Sequence, residues 1–124
     1  MKIRVYYEDT DAGGIVYHTN YIKYCERARS ERLFSQGYMP LEGDISGFVV
    51  QHISAVYIAP ATLGETLEIK SRVLSLKRST VTLQQDIYRE AEKLFSMEIR
   101  LAYLSRAKVR RIPEDLRAVL ENML

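Results

Sequence analysis

The hydrophobic positions of the chain follow three different rhythms. From Lys2 to Glu8, β-branched and aromatic residues crowd together, as in a short strand. From Asn20 to about Gln36 the rhythm is helical. At ~100° per residue, Tyr21, Ile22, Tyr24, Cys25, Ala28 and Leu33 share a face, with Lys23, Glu26, Arg27 and Ser30 opposite. Thr19 or Asn20 suits the start of this helix and Gly37 its end. Arg29 and Arg32 fall inside the apolar arc, so their stems are expected along the core and their heads at solvent or an acidic partner. The rest alternates with period two. Gly47 to Ala59 is mixed apolar and ends at Pro60. Leu67, Ile69, Ser71 and Val73 form one face of the next run, Val81, Leu83, Gln85 and Ile87 of the third, and Phe95, Met97, Ile99, Leu101 and Tyr103 of the fourth. Short breaks at Ala61–Gly64, Lys77–Ser79 and Arg89–Glu92 suit antiparallel connections. Ser105 to Ile112 is strongly basic, and Pro113 to Leu124 reads as a short closing helix.

These elements predict an α+β domain spanning residues 1–124. One long helix is followed by a meander of four long strands, with the first strand completing the sheet. The three prolines (Pro40, Pro60, Pro113) fall at breaks. A single helix covers one face of such a sheet. The other face and the edges are left without a cover, which predicts homo-oligomerisation by edge pairing or face packing.

Composition narrows the function. The 124 residues are 47% hydrophobic and 27% charged, ordinary values for one globular domain. Eighteen Lys+Arg against sixteen Asp+Glu leave a formal charge of +2, too small to make nucleic acid the expected partner. No run approaches ~18 apolar residues, so no membrane span is expected. One cysteine, Cys25, forms neither an intramolecular disulfide nor a cysteine-rich zinc site. A cytoplasmic protein is expected.

Chemistry concentrates between Tyr7 and Asn20, where Glu8, Asp9 and Asp11, two tyrosines, His18 and the pair Gly13-Gly14 precede the helix. Unpaired N–H groups at a helix start hold anions or stabilise an oxyanion, and a neighbouring carboxylate serves as nucleophile or general base. Acyl hydrolysis is one reading. A capped loop with no catalytic role is the other, since Asp and Gly favour turns for purely local reasons. The second histidine, His52, falls in a predicted strand, so neither a metal nor another cofactor is expected. Cys25, on the apolar helix face, is expected to be a packing residue. Lys77-Arg78, and Arg106, Lys108, Arg110 and Arg111, serve solubility, phosphate recognition or attraction to an anionic membrane surface.

The stretch Val5 to Glu31 closely resembles the opening of YbgC-like acyl-CoA thioesterases, of the 4-hydroxybenzoyl-CoA thioesterase type. It carries the block Asp-x-Gly-Gly-x-Val-Tyr-His-x-Asn-Tyr over residues 11–21, and the segment Phe48 to Val73 is similar too. The resemblance implies a hot-dog fold, a long central helix wrapped by a curved antiparallel sheet of about five strands. It also implies homodimers or homotetramers with active sites between subunits. It places the catalytic aspartate at Asp11, with His18 and Tyr7 beside it, and the oxyanion-stabilising amide at His18. Lys77 and Arg78 fall at the turn that contacts the CoA phosphates. An acyl-CoA hydratase or dehydratase, or a non-catalytic module binding acyl-CoA or acyl carrier protein, are the alternatives. The resemblance further implies links to the Tol–Pal envelope system, with peripheral contact with the inner membrane.

Overall fold

The computed structural model describes residues 1–38 and 46–124; Pro40 lies outside the described residues. The chain runs β1 (Lys2–Arg4), α1 (His18–Ser35), β2 (Ser46–Tyr57), β3 (Thr66–Leu76), β4 (Thr80–Arg89), β5 (Glu92–Ser105), β6 (Lys108–Val109) and α2 (Glu114–Glu121). The strands form one antiparallel sheet in the order β1-β3-β4-β5-β2, with β6 also on β5. The sheet curls around α1, the hot-dog arrangement the resemblance implied.

The expected four-strand meander is corrected. Of the four long strands only β3, β4 and β5 pair consecutively, while β2 skips β3 and lies on β5, with Ser46 opposite Ser105 and Tyr57 opposite Phe95. Period-two alternation fixes the faces of a strand but carries nothing about its neighbour. The connection after Tyr57 is long enough to cross the end of the sheet, and that crossing shapes the site described below. The first strand is also shorter than its composition predicts. Tyr7–Asp9 coils into a 3₁₀ turn, because the Asp9 carboxylate accepts the Tyr6 N–H at 2.9 Å and competes with strand pairing.

Helix α1 buries Tyr21, Tyr24, Cys25 and Ala28 against the inner sheet face, as its periodicity predicts. It starts at His18, and neither Thr19 nor Asn20 caps it with a side chain; Tyr17 holds the N-cap position. At the other end Gly37 adopts φ 81°, donating to the Phe34 carbonyl while Tyr38 donates to that of Leu33. That double bond satisfies two carbonyls of the last turn and stops the helix.

The inner sheet face supplies Leu67, Ile69, Val73, Val81, Leu83, Ile87, Phe95, Met97 and Ile99 to the core. Each such side chain contributes roughly 1.5–3 kcal/mol on burial. One polar residue sits among them. Gln85 is fully buried and donates to the Cys25 carbonyl and the Ser71 hydroxyl, each at 2.9 Å, while accepting from Arg29 at 2.8 Å. The Arg29 head, half-buried, therefore meets a neutral amide where an acidic partner or solvent was expected, while Arg32 is exposed as expected. Burial lowers the Arg29 pKa below the ordinary arginine value. Arg106 and Ala107, at φ 52° and 61°, turn the basic stretch back on β5 as β6. Pro113 precedes the closing helix α2, which buries Leu116 and Leu120. Among the described residues, no helix is long and apolar enough to cross a membrane.

Candidate active site

The loop before α1 is a tight hairpin. Thr10 and Val16 bridge, the Asp11 N–H donates to the Ile15 carbonyl at 2.9 Å, and the Gly14 N–H donates to the Asp11 carbonyl at 3.1 Å. The two glycines serve different ends. Gly14 adopts φ 82°, a region closed to most side chains. Gly13 donates its N–H to Asp11 Oδ1 at 2.8 Å, and a Cβ there would stand 3.2 Å from that same oxygen. Asp11 thus has one carboxylate oxygen held by the loop, while the other has no partner among the described residues.

Asp9 anchors this hairpin to the helix. It is 9% exposed, accepts from the Asn20 side-chain amide at 3.0 Å and from the Tyr6 N–H, and its carbonyl accepts the Tyr17 N–H at 2.9 Å. Burial and the adjacent Asp9 charge raise the pKa of the Tyr24 hydroxyl. Asn20, expected as a helix cap, instead binds the helix to the loop. The three acids of this region therefore part company: Asp9 is buried and bonded, and Glu8 and Asp11 are exposed.

His18 is the first residue of α1, and neither its amide nor that of Thr19 has a partner among the described residues. These amides lie at the positive end of an 18-residue helix. Asp11, His18 and Tyr21 line one cleft of about 400 Å³, closed on its other side by Tyr57, Ile58, Ala59 and Pro60 from the end of β2 and the crossing connection. The Tyr57 hydroxyl donates to the His18 carbonyl at 2.6 Å, fastening the sheet edge to the helix start. A second, separate cavity of about 300 Å³ lies between the middle of α1, the Phe48 half of β2 and Leu120 of α2, walled by Ile22, Leu33, Phe48, Leu83, Ile99 and Leu101, with Glu26, Arg29 and Arg32 also lining it.

The other expected site residues lie apart. Tyr7 is 82% exposed in the 3₁₀ turn and does not line the Asp11 cleft. Lys77 and Arg78 form the β3–β4 turn, bound through their carbonyls to Arg117 and through that of Arg78 to the Ile112 N–H. The neighbouring Ser79 accepts from Tyr103, near where β5 meets the Ser46 end of β2. His18 and Tyr57 stand at the opposite end of β2, about 35 Å along a strand of this length. Tyr57 and Asp9 were absent from the expected site. Asp9 had no signal to separate it from Glu8, and Tyr57 depends on a strand order that alternation does not encode.

The model of the Thioesterase superfamily matches residues 13–96. The chain belongs to the thioesterase superfamily. Within it, the acyl-CoA thioesterase YbgC of Helicobacter pylori is 43% identical over 116 residues, 86% of each chain. The Haemophilus influenzae protein of the same name is 33% identical, over 99% of this chain and 94% of that one. The crystal structure of a probable thioesterase from Bartonella henselae superposes with a TM-score of 0.84 at 32% identity, over 91% of this chain and 97% of the other. The superfamily match begins at Gly13, two residues after Asp11.

Proposed function

We propose that this chain hydrolyses acyl-CoA thioesters to a free acid and CoA, with the Asp11 carboxylate as nucleophile or general base and the His18 amide as oxyanion site. One observation carries this reading: Asp11 and the open N-terminus of α1 line the same cleft. The names of the full-length relatives supply the acyl-CoA substrate. They also favour hydrolysis over the hydration chemistry considered from the sequence.

In the proposed reaction the thioester carbonyl oxygen accepts from the His18 N–H. Either the free oxygen of Asp11 attacks the carbonyl carbon, expelling CoA thiolate and leaving a mixed anhydride that water cleaves, or Asp11 takes the proton of an attacking water. Negative charge gathers on the carbonyl oxygen in both routes, where the helix terminus and a prepositioned donor stabilise it. The leaving thiolate has a conjugate acid near the ordinary thiol pKa of about 8.5, so protonation by a strong acid is unnecessary. The acyl chain runs along α1 into the second, apolar cavity. The orienting role expected of Tyr7 has no contact to support it within one chain, where its side chain is exposed outside the cleft.

Lys77 and Arg78 then serve a homodimer. The free edge of β2 exposes Val49, Val50, Val56 and Tyr57, a long apolar template for pairing with a second copy. Two β2 strands related by a two-fold axis run antiparallel, bringing the Ser46 end of one, with its Lys77–Arg78 turn, to the His18 end of the other. The phosphates of CoA meet those cations there. The exposed basic residues Arg106, Lys108, Arg110 and Arg111 near the same end also suit an acidic acyl carrier protein.

The test is release of CoA from acyl-CoA, read with a thiol reagent. The wild-type chain is expected to release it, and Asp11→Asn to lose about 10³-fold or more in kcat while retaining fold and acyl-CoA binding. Saturable binding without release by the wild type overturns the enzyme reading; near-normal turnover by Asp11→Asn overturns the role of Asp11.

A further inference from the structure

Three tyrosines, Tyr17, Tyr21 and Tyr57, line the Asp11–His18 cleft, and Tyr21 is the buried one whose hydroxyl proton has no acceptor among the described residues. Tyr21 lies three residues after His18 on α1 and so on the same side of the helix. It is 3% exposed. Its ring stacks on Phe95 at 5.3 Å and 21°, and meets Tyr24 and Tyr57 edge-on at 6.5 and 5.5 Å, which leaves it a single orientation. Its oxygen accepts the Ala61 N–H at 3.0 Å. A phenol has one proton to give and two lone pairs to share. Ala61 takes one lone pair, and among the described residues no group accepts the proton. Tyr57 is the contrast, since its own proton is spent on the His18 carbonyl.

We propose that the Tyr21 hydroxyl is a second hydrogen-bond donor to the thioester carbonyl oxygen, completing with the His18 amide the site where negative charge develops; this rests on the thioesterase reading of the cleft. Once substrate displaces water from the cleft, an O–H left without an acceptor is costly, and the substrate carbonyl supplies that acceptor. The bond from Ala61 N–H polarises the phenol and makes its O–H a stronger donor. The rigid aromatic cluster places the donor before substrate arrives, as stabilisation of a developing charge requires.

Tyr21→Phe is expected to lower kcat about 100-fold with KM changed no more than about twofold. That variant also removes the acceptor of Ala61, so a second series keeps it: fluorotyrosines of increasing acidity placed at position 21, assayed at a pH that leaves every phenol protonated. With the oxygen and the Ala61 bond retained, kcat is expected to rise steadily with phenol acidity while the thermal transition stays fixed. A kcat that is flat across the fluorotyrosines overturns the donor role and leaves Tyr21 a structural tether between α1 and the crossing connection. A wild-type chain that releases no CoA overturns the thioesterase reading and this proposal with it.

Discussion

Asp11 and Gly13 work as a pair, since the glycine amide fixes one carboxylate oxygen and its missing side chain leaves that oxygen room. His18 divides differently: its backbone N–H opens the helix while its imidazole lies exposed at the cleft wall. In the proposed reaction the N–H is the part that meets the substrate. His18→Ala, which keeps the N–H, is therefore expected to retain kcat within about tenfold, far above Asp11→Asn, in saturating acyl-CoA. Equal losses in the two variants make the imidazole a participant. Cys25 needs no chemical role. Burial pushes its thiol up to about 12, with Asp86 adding to the rise and Arg29 opposing it, so it packs as a small apolar residue.

The element that decides the site is the connection from β2 to β3. Its backbone at Ala61 touches both sides of the helix entrance, donating to Tyr21 and accepting from Val16. Arg89 clasps it from β4, bonded to the Pro60 carbonyl at 3.2 Å and to both oxygens of Glu65 at 2.8 Å. Burial alone pushes the Glu65 carboxyl up, but the Thr62 amide and then the Arg89 guanidinium outweigh it and hold its pKa below the usual 4.5. A carboxyl whose folded pKa is depressed contributes stability that is complete above its unfolded value and disappears as pH falls through the folded value. Thermal unfolding followed from about pH 7 to about pH 3 is expected to show this loss below about pH 4.5. Glu65→Gln is expected to melt lower at neutral pH and to show a shallower acid limb. An unchanged limb removes Glu65 from the clasp's pH dependence.

At the scale of the whole molecule, one chain holds both halves of the proposed site at opposite ends of its sheet. The proposed homodimer through β2 would make each site from two chains, and mixed assemblies test it. Asp11→Asn alone lacks the carboxylate, and Lys77→Ala/Arg78→Ala alone is expected to raise KM for acyl-CoA about tenfold or more, as lost charge-assisted phosphate contacts do. Refolding the two variants together restores one site with Asp11 from one subunit and Lys77–Arg78 from the other. Activity at low acyl-CoA is therefore expected to exceed that of either parent. A mixture no better than the sum of its parents places both groups in one subunit or removes the cations from the site.

The sequence by itself determined the helix, the faces of the long strands, the Asp11–His18 loop and the family they belong to. These are local properties, read from periodicity, glycine placement and a run of adjacent residues. Even Gln85 and Ser71 were assigned to the inner face by alternation, although not to each other. Tertiary structure decided which strands are neighbours, and with them the residues that meet. It moved β2 to the far edge beside β5, set Tyr57 against the His18 carbonyl, turned the Tyr21 hydroxyl onto Ala61, and put Lys77 and Arg78 a sheet's length from Asp11. A two-residue period specifies a side of a sheet, whereas pairing order depends on where a connection crosses, and only the folded chain specifies that.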